Sequence, residues 1–391
     1  MAGPLSHLRV LDLSRILAGP FCGQILADLG ADVIKVERPE SGDDTRSWGP
    51  PFLSGADGGR GDAGYFLACN RGKRSVQADL STAEGQALVK ALAARSDIVL
   101  ENYRTGGLAK FGLDYAGLKA VKPDIVYCSI TGFGQDGPRA SQAAYDFMIQ
   151  AMGGLMSVTG EADGFPGAGP QKVGVPVIDL MTGMYAAIAL LAAIARRDET
   201  GEGDYIDIGM LDVMVGSLCN QAQNYFVSGK TPKRAGNRHP NIQPQDVFPC
   251  ADGHVVIVVG NDGQYARFCQ AIGRPDLIDD PRFVTNGDRV RNLGQLMPEL
   301  IAALSGDTMQ GWATRLDTAG VPCAPINTLP DVLADPQVAH RQMLIHLDHP
   351  VSGRLAMLAS PMRFRNAPIE YRRPPPRLGE HDAEVRTELE A

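Results

Sequence analysis

The stretch that decides the fold is residues 8–37, LRVLDLSRILAGPFCGQILADLGADVIKVE. Its ends, Leu8–Leu13 and Asp32–Glu37, are short apolar runs typical of buried strands. The segment from about Phe21 to Leu29 has the pattern of a helix, and the loop Ser14–Pro20 connects it to the first strand. Because two adjacent parallel strands need a crossover of this kind, the stretch predicts a β-α-β unit.

Strands and helices go on alternating after this unit. A capping-box sequence at Ser81–Glu84 predicts a helix that ends near Arg95, and apolar runs at Ile98–Leu100 and Ile125–Ile130 predict two more strands. This order predicts an α/β fold in which a mainly parallel sheet is covered by helices on both faces.

Polar residues follow several of these predicted strands. Ligands of parallel sheets bind beyond the carboxyl ends of the strands, where the chain carries Arg38, Asn102–Arg104 and Gly132–Gly137. The first loop lacks the GxGxxG spacing of a dinucleotide site, although Glu37 could hold a ribose. Arg38 suits a phosphate because guanidinium binds it in a bidentate way, and the alternative is a solvated surface arginine. The three cations of NRGKR at 70–74 have the same two interpretations: they could face an anionic ligand, or they could face water.

A second stretch, KVGVPVIDLMTGMYAAIALLAAIA at 172–195, contains one acidic residue, Asp179. It lies between the apolar run Val173–Ile178 and a helix-like run, Thr182–Ala195. A lone carboxylate in such surroundings is unfavourable unless something stabilises it. Asp179 is therefore either the N-cap of the helix or a carboxylate kept in a dry pocket as a nucleophile. The two interpretations are compatible.

The composition restricts the class of protein. A chain of 391 residues predicts two domains, and a net charge of −8 argues against nucleic acid as a partner. The seven cysteines contain no CxxC pair, so no metal site is predicted and a reducing cytoplasm is expected. The first residues, MAGPLSHLRV, lack the regions of a signal peptide. The longest apolar run, Met184–Ala195, is too short for a bilayer, which predicts a core helix and no membrane partner.

The composition changes in the middle of the chain. Residues 229–245, GKTPKRAGNRHPNIQPQ, have the composition of a linker or flap, and Val247–Cys250 with His254–Val259 predicts an antiparallel hairpin. Helical patterns follow the hairpin, so a smaller α+β domain is predicted over residues 225–330. Before the linker, Leu211–Ser228 is predicted to be one long helix, and Ser41–Gly64 an irregular loop.

Seven segments together resemble one family. They are LRVLDLSRILAGPFCGQILADLGADVIKVERP, NRGKRSVQADLSTAEG, ITGFGQDGP, AYDFMIQAMGGLMSVTG, VPVIDLMTGMYAAIAL, GNRHPN and the LGEH near the end. In this order they resemble the class III CoA-transferases, a group that includes formyl-CoA transferase, carnitine CoA-transferase and α-methylacyl-CoA racemase.

The resemblance implies a fold and a set of functional residues. The fold is a Rossmann-like large domain from residues 1–224 and 331–391, with the small domain inserted, in an interlocked homodimer. The implied catalytic residue is Asp179, and coenzyme A is implied as part of the substrate, with no permanently bound cofactor. The implied CoA contacts are Arg15, Ala18, Arg38, Ala78, Asp79, Leu80, Ser81, Asn102, Tyr103, Arg104, Lys110, Tyr145 and Asp146.

The sequence departs from two members of the family. Leu17 replaces a glutamine of formyl-CoA transferase, which argues against formate or oxalate as substrates. Tyr145 replaces the histidine base of the racemases, and a phenol with a pKa near about 10 is a poor base at neutral pH.

The expected activity is transfer of CoA from an acyl-CoA, such as succinyl-CoA, to a dicarboxylate. A racemase and a non-catalytic CoA-binding protein are the alternatives. Backbone N–H groups at the start of the Asp179 helix and near Gly154 are expected to stabilise oxyanions. Arg234 and Arg238 could pair with a distal substrate carboxylate, or could be solvated.

Overall fold

The computed structural model describes residues 3–55 and 58–391, so Ala56 and Asp57 of the predicted Ser41–Gly64 loop lie outside the described residues. The strands are β1 Arg9–Asp12, β2 Asp32–Glu37, β3 Phe52–Ser54, β4 Arg60–Ala63, β5 Lys73–Gln77, β6 Ile98–Glu101, β7 Val126–Thr131, β8 Asp204–Gly209, β9 Gln245–Cys250, β10 Gly253–Val258, β11 Cys323–Pro325, β12 Leu344–His349 and β13 Gly353–Leu358.

The α-helices are α1 Ala18–Asp28, α2 Gly64–Leu67, α3 Ala83–Ala94, α4 Tyr115–Lys119, α5 Asp146–Met152, α6 Leu155–Val158, α7 Val177–Thr200, α8 Met210–Gly216, α9 Cys219–Ser228, α10 Asp262–Ala271, α11 Asn286–Arg291, α12 Leu293–Leu304, α13 Met309–Thr318, α14 Leu329–Ala334, α15 Pro336–His340 and α16 Asp382–Glu390. Short 3₁₀-helices cover Asp44–Ser47, Ala109–Phe111 and Pro275–Leu277.

The chain divides into two compact units. The first consists of Met1–Leu155, Val173–Ala222 and Gln337–Ala391, and the second of Met156–Lys172 and Gln223–Pro336.

The first unit is built on a sheet of six parallel strands. Their order is β5-β2-β1-β6-β7-β8, and every neighbouring pair is parallel. This is the doubly wound order of Rossmann-type folds, which reverses direction between β1 and β6. The α/β class and the parallel sheet expected from the sequence are thereby confirmed.

Each face of this sheet is covered by helices. Alternate residues of a strand point to opposite faces, so Val10 packs with α1 and α7, whereas its neighbour Leu11 packs with α3 and α16. This arrangement buries the strands on both sides, which explains why their sequences are nearly continuous apolar runs.

Helix α1 begins earlier than its sequence suggests. The predicted start was about Phe21, but the helix begins at Ala18, and the Phe21 N–H donates to the Leu17 carbonyl at 2.7 Å. Pro20 is tolerated because N–H groups in the first turn of a helix have no intrahelical partner. The loop after β1 is therefore short.

The three cations of NRGKR do not face water, so the solvated alternative for this segment was wrong, and the acids that pair with them leave less of their charge for an anionic ligand. Each forms an ion pair with an acid that is distant in sequence: Arg71 with Asp28 at 2.6 Å, Lys73 with Asp12 at 2.9 Å and Arg74 with Asp32 at 2.6 Å. All three cationic side chains are buried. Arg74 also pairs with two glutamates of α16, which ties the C-terminal helix to the sheet.

Two other elements differ from the sequence prediction. The Ser41–Gly64 segment is not a plain loop, because it contains a 3₁₀-helix and the antiparallel pair β3–β4. The predicted helix over Leu211–Ser228 is broken between α8 and α9, where Cys219 has a φ of 41°.

Helix α7 is longer than the apolar run suggested. It has 24 residues, and its most apolar stretch of 18 residues has a mean hydropathy of 2.0, which is sufficient for a membrane span by length and composition alone. The prediction that this element is too short to cross a bilayer was therefore wrong. One side of α7 packs into the core through Ala186, Leu190 and Ile194, while Tyr185 and Ile188 are exposed. A helix that contributes to a protein core passes the same test of composition.

The second unit has its own core. The three-stranded sheet β11-β10-β9 packs with α10, α12 and α13 around residues such as Phe248, Phe268 and Trp312. The predicted hairpin is confirmed as β9 and β10, which pair in antiparallel register from Gly253–Cys250 to Val258–Gln245.

Candidate active site

A cavity of about 440 Å³ lies in the first unit, where the loops that follow β1, β6 and β7 meet. This is the point where the strand order reverses, the usual ligand position in doubly wound sheets. Of the residues predicted from the sequence, those that line the cavity are Arg15, Ala18, Asn102, Tyr103, Arg104, Tyr145 and Asp179.

Asp179 combines burial with the absence of a partner. Its side chain lines the cavity, the residue is 9% exposed, and its carboxylate accepts no hydrogen bond from the residues that the structure describes. Burial raises the pKa of this carboxyl to about 7, and the charge of Asp146 contributes to the increase. At neutral pH the site therefore holds a substantial fraction of ionised carboxylate with little solvation.

The cap of the Asp179 helix comes from another helix. One oxygen of Asp146 accepts hydrogen bonds from the N–H groups of Ile178 at 2.7 Å and Asp179 at 3.2 Å. The N-cap position itself is Pro176, and Asp179 lies in the first turn. The interpretation of Asp179 as the N-cap was therefore wrong, and its carboxylate is left available for chemistry.

The same bonds correct one of the two expected oxyanion sites, the start of α7, while the donors expected near Gly154 stay a prediction. The N–H groups of Ile178 and Asp179 are occupied by Asp146, and that of Val177 donates to Val175. The start of α7 is therefore not available to a reaction intermediate. The start of α1 is different, since Ala18 lines the cavity and its N–H has no acceptor among the described residues.

A close contact brings these two helices together. A Cβ atom on Gly183 of α7 would lie 2.7 Å from the Ala18 carbonyl oxygen, a distance that real Cβ atoms do not tolerate. Gly183 follows Asp179 by one turn of helix, so this packing sets the separation between the carboxylate and the start of α1.

The loop after β1 is fixed by side chains. Asn102 accepts a hydrogen bond from the Arg15 N–H at 2.8 Å and donates to the Arg15 carbonyl at 2.6 Å. The Arg15 guanidinium lies 3.0 Å from Asp44 and over the ring of Tyr103. Asn102 thus holds the Arg15 backbone, while the Arg15 side chain remains about one-third exposed for an anionic ligand.

The remaining predicted contacts lie outside this cavity. Arg38, Ala78 and Leu80 line an adjoining crevice that shares Arg15 and Tyr103 with it, and Arg38 forms an ion pair with Asp44. The residues that line neither space are Asp79, Ser81, Lys110 and Asp146.

Two of these outlying residues have local roles. Asp79 accepts hydrogen bonds from the backbone N–H and the hydroxyl of Ser81.

Glu37, considered above as a ribose ligand, is instead buried in an ion pair with Arg46 at 2.6 Å.

The sequence analysis missed an aromatic part of the site. Trp48 lines the cavity and packs edge-on against Tyr65 with ring centroids 5.3 Å apart. Burial raises the pKa of Tyr65 to about 12, and the charge of Asp179 adds to the increase. The sequence feature that could have pointed to this part of the site is Trp48 itself, because the chain has only two tryptophans. It lies in Ser41–Gly64, the segment predicted to be an irregular loop.

The two arginines considered for a distal carboxylate are already paired within the second unit. Arg234 contacts Asp163, and Arg238 lies 3.2 Å from Asp246. Arg238 is still 37% exposed, as predicted for a solvated charge, whereas Arg234 is only 16% exposed. Pairing of either arginine with a distal substrate carboxylate stays a prediction.

Comparison with known proteins connects this geometry to a family. The sequence profile of CoA-transferase family III matches residues 5–382. Succinate--glutarate CoA-transferase of Agrobacterium fabrum is 48% identical over 99% of this chain and 96% of its own length. Succinyl-CoA:glutarate CoA-transferase of Mus musculus is 40% identical over 99% and 86%. The crystal structure of a CAIB/BAIF family protein from Brucella suis is 49% identical and covers 100% of both chains, with a TM-score of 0.88.

Proposed function

The chain belongs to CoA-transferase family III, and on that premise we propose that it transfers CoA from succinyl-CoA to a dicarboxylate such as glutarate, with Asp179 as the nucleophile. The observation that carries the proposal is the buried Asp179 carboxylate, which lines the cavity without a hydrogen-bond partner among the described residues. The names of the relatives from Agrobacterium fabrum and Mus musculus support the choice of substrates.

The first half of the reaction charges the enzyme with CoA. An Asp179 oxygen attacks the thioester carbon of succinyl-CoA, the carbon–sulfur bond breaks, and CoA leaves as the thiolate. The thiolate then attacks the Asp179 carbonyl carbon of the mixed anhydride. Succinate leaves with the bridging oxygen, and Asp179 is left as a CoA thioester.

The second half repeats these steps with the acceptor. A carboxylate oxygen of the acceptor attacks the Asp179 carbonyl carbon and releases the CoA thiolate. The thiolate attacks the acceptor carbonyl of the new anhydride, which gives the product thioester and restores the Asp179 carboxylate. One thioester replaces another, so the reaction requires no net input of energy.

The cavity suits an intermediate that water would destroy. Leu17, Ile130 and Met210 contribute apolar lining to the cavity that contains Asp179, and a desolvated carboxylate is a stronger nucleophile than one held by water. The N–H group of Ala18, at the positive end of α1, is the donor that we assign to the tetrahedral oxyanion.

The nucleotide end of CoA needs cationic partners. Arg15 and Arg104 line the cavity, and Arg38 lies in the crevice next to it. Guanidinium groups bind phosphate through paired, charge-assisted hydrogen bonds. We assign the phosphates to these three arginines, with Asn102 supporting the backbone of Arg15.

A direct assay tests the function. The purified protein is incubated with succinyl-CoA and a panel of acids of which glutarate is one, and acyl-CoA products are identified by mass. The proposal predicts glutaryl-CoA together with free succinate. Exchange of deuterium at the α-carbon of a 2-methylacyl-CoA, without any acceptor acid, would instead assign the protein to the racemases. A protein inert towards every acyl-CoA would be the non-catalytic alternative.

We also propose that the second unit is the inserted small domain and that the protein is the interlocked homodimer implied by the resemblance. Apolar side chains on α5 and α7 support an interface, since Phe147 is 57% exposed and Ile188 63% exposed. Light scattering during size-exclusion chromatography tests this proposal, with twice the chain mass as the expected result and the single-chain mass as the result against it.

A further inference from the structure

The loop between β1 and α1 contains a residue in an unfavourable conformation. Ile16 has a φ of 72°, in the left-handed region that β-branched side chains rarely adopt. Ile16 also lines the cavity that contains Asp179. A conformation of this kind persists only when the surrounding structure holds it in place.

A buried ion pair supplies that support. One Asp43 oxygen accepts a hydrogen bond from the Ile16 N–H at 3.3 Å, and the other lies 2.9 Å from the Lys35 ammonium. The same ammonium donates to the Ser14 carbonyl at 2.7 Å. Both charged side chains are completely buried. Neither lines the cavity that contains Asp179, although both lie at the wall of the adjoining crevice that contains Arg38.

Further contacts fix the orientation of Asp43. The backbone and hydroxyl of Thr45 donate to the oxygen that also contacts Ile16, at 3.0 and 2.8 Å. Burial alone would raise the pKa of Asp43, but Lys35 and Thr45 outweigh it and lower the pKa to about 2. Asp43 is therefore ionised at neutral pH.

We propose that Lys35 and Asp43 are positioning residues for the transfer reaction. By fixing Ser14 and Ile16 on the two sides of Arg15, they keep the loop in the conformation that presents the start of α1 to Asp179. They touch no substrate in this account. The inference rests on the proposed function of Asp179, and it goes further because it assigns the geometry of the site to a buried pair outside the cavity.

The test uses Asp43→Asn, which keeps the shape of the side chain and removes its charge. Displacement of the loop is expected to lower kcat by about a hundredfold. The KM for succinyl-CoA should change by less than about threefold, because Asn102 holds Arg15 independently. The control is Asp28→Asn. Asp28 is also a buried acid in an ion pair, in its case with Arg71, and this variant should lower the melting temperature and leave kcat unchanged.

Rescue distinguishes positioning from simple stability. Glycine adopts a positive φ without strain, so adding Ile16→Gly to Asp43→Asn is expected to restore kcat to within about tenfold of the wild-type value. If Asp43→Asn alone has the wild-type kcat, or if the double variant is as slow as the single variant, the inference is wrong.

A second measurement does not depend on transfer activity. In a double-mutant cycle, the melting temperatures of the wild type, the two single variants and the double variant are compared. Asp43→Asn should lower the melting temperature less in the Ile16→Gly background than in the wild type, and additive effects would contradict the inference. If Asp43→Asn does not fold, Thr45→Val is used in its place, and its effects on kcat and on the melting temperature should have the same sign and be smaller. A wild-type protein without transferase activity contradicts the proposed function, whereas additive melting temperatures contradict only the positioning role.

Discussion

Asp146 caps the helix that carries Asp179, and it does so through a carboxylate whose charge also raises the pKa of Asp179. The two acids are 33 residues apart in sequence and have different tasks. Asp146 is neutralised in part by two backbone N–H groups and by Gln150, which donates to its other oxygen at 2.5 Å. Asp179 has no such partner among the residues that the structure describes, which suits a nucleophile.

The first prediction concerns the pH dependence of transfer. Only the ionised form of Asp179 attacks a thioester, and its pKa is raised to about 7. We therefore expect kcat/KM to fall about tenfold per pH unit below pH 7 and to be constant above it. Steady-state rates with succinyl-CoA and glutarate measure this profile. A rate that stays constant down to about pH 5, near the usual range for a carboxylate, would contradict the assignment.

The second prediction concerns Asp146→Asn. Asparagine keeps an oxygen that can cap α7 and removes the charge that raises the Asp179 pKa. The acidic limb of the pH profile should therefore move to lower pH. Asp198→Asn, which removes an exposed charge near the far end of α7, is the matched control and should leave the limb in place. An unchanged limb in Asp146→Asn would show that burial alone sets the pKa.

The third prediction concerns stability. Burial raises the pKa of Asp179 from its ordinary value of 3.8 to about 7 in the folded protein, so the folded state binds more protons than the unfolded state between these two pH values. The free energy of unfolding contributed by this group therefore decreases as pH rises from about 4 to 7. Asp179→Asn removes that penalty, and it should stabilise the protein by on the order of 4 kcal/mol at pH 8.

Urea unfolding at two pH values measures the effect of Asp179→Asn. The gain should be small near pH 4, where the folded wild type carries a neutral Asp179. A gain of equal size at both values would mean that packing, and not ionisation, explains it.

The fourth prediction concerns the contact between α1 and α7. Gly183→Ala places a methyl group against the Ala18 carbonyl, so the helices must separate. We expect a lower melting temperature and a kcat reduced by at least about tenfold, because Asp179 moves relative to α1. Gly216→Ala is the control, since its Cβ meets open space, and it should stabilise the protein slightly. A Gly183→Ala variant with normal kcat would show that this spacing is not important.

Four strands of the parallel sheet, β1, β2, β6 and β7, were predictable because their signal is local. Asp32–Glu37 was predicted with the bounds that β2 has, since a short apolar run before a charged turn needs no distant information. The start of α1 was predicted three residues late because Pro20 was taken as part of the loop, although proline is allowed in a first helical turn.

The partners of charged residues were not predictable in the same way. Arg71, Lys73 and Arg74 form a cationic segment in the sequence, but their acids come from β1, α1, β2 and α16. The cap on α7 was not predictable for the same reason, because nothing near Asp179 in the sequence indicates that Asp146 is its capping residue. Pairing of this kind depends on the tertiary fold, so a sequence identifies the charge but not its partner.

The most direct test of the account is the site of covalent attachment. The protein is incubated with succinyl-CoA, trapped with hydroxylamine, digested and analysed by mass spectrometry, with Asp179→Asn as the control. We predict a hydroxamate on Asp179 in the wild type and none on any residue of Asp179→Asn. A hydroxamate on another residue, or an unmodified Asp179 in a sample that is turning over succinyl-CoA, would contradict the assignment of Asp179 as the nucleophile.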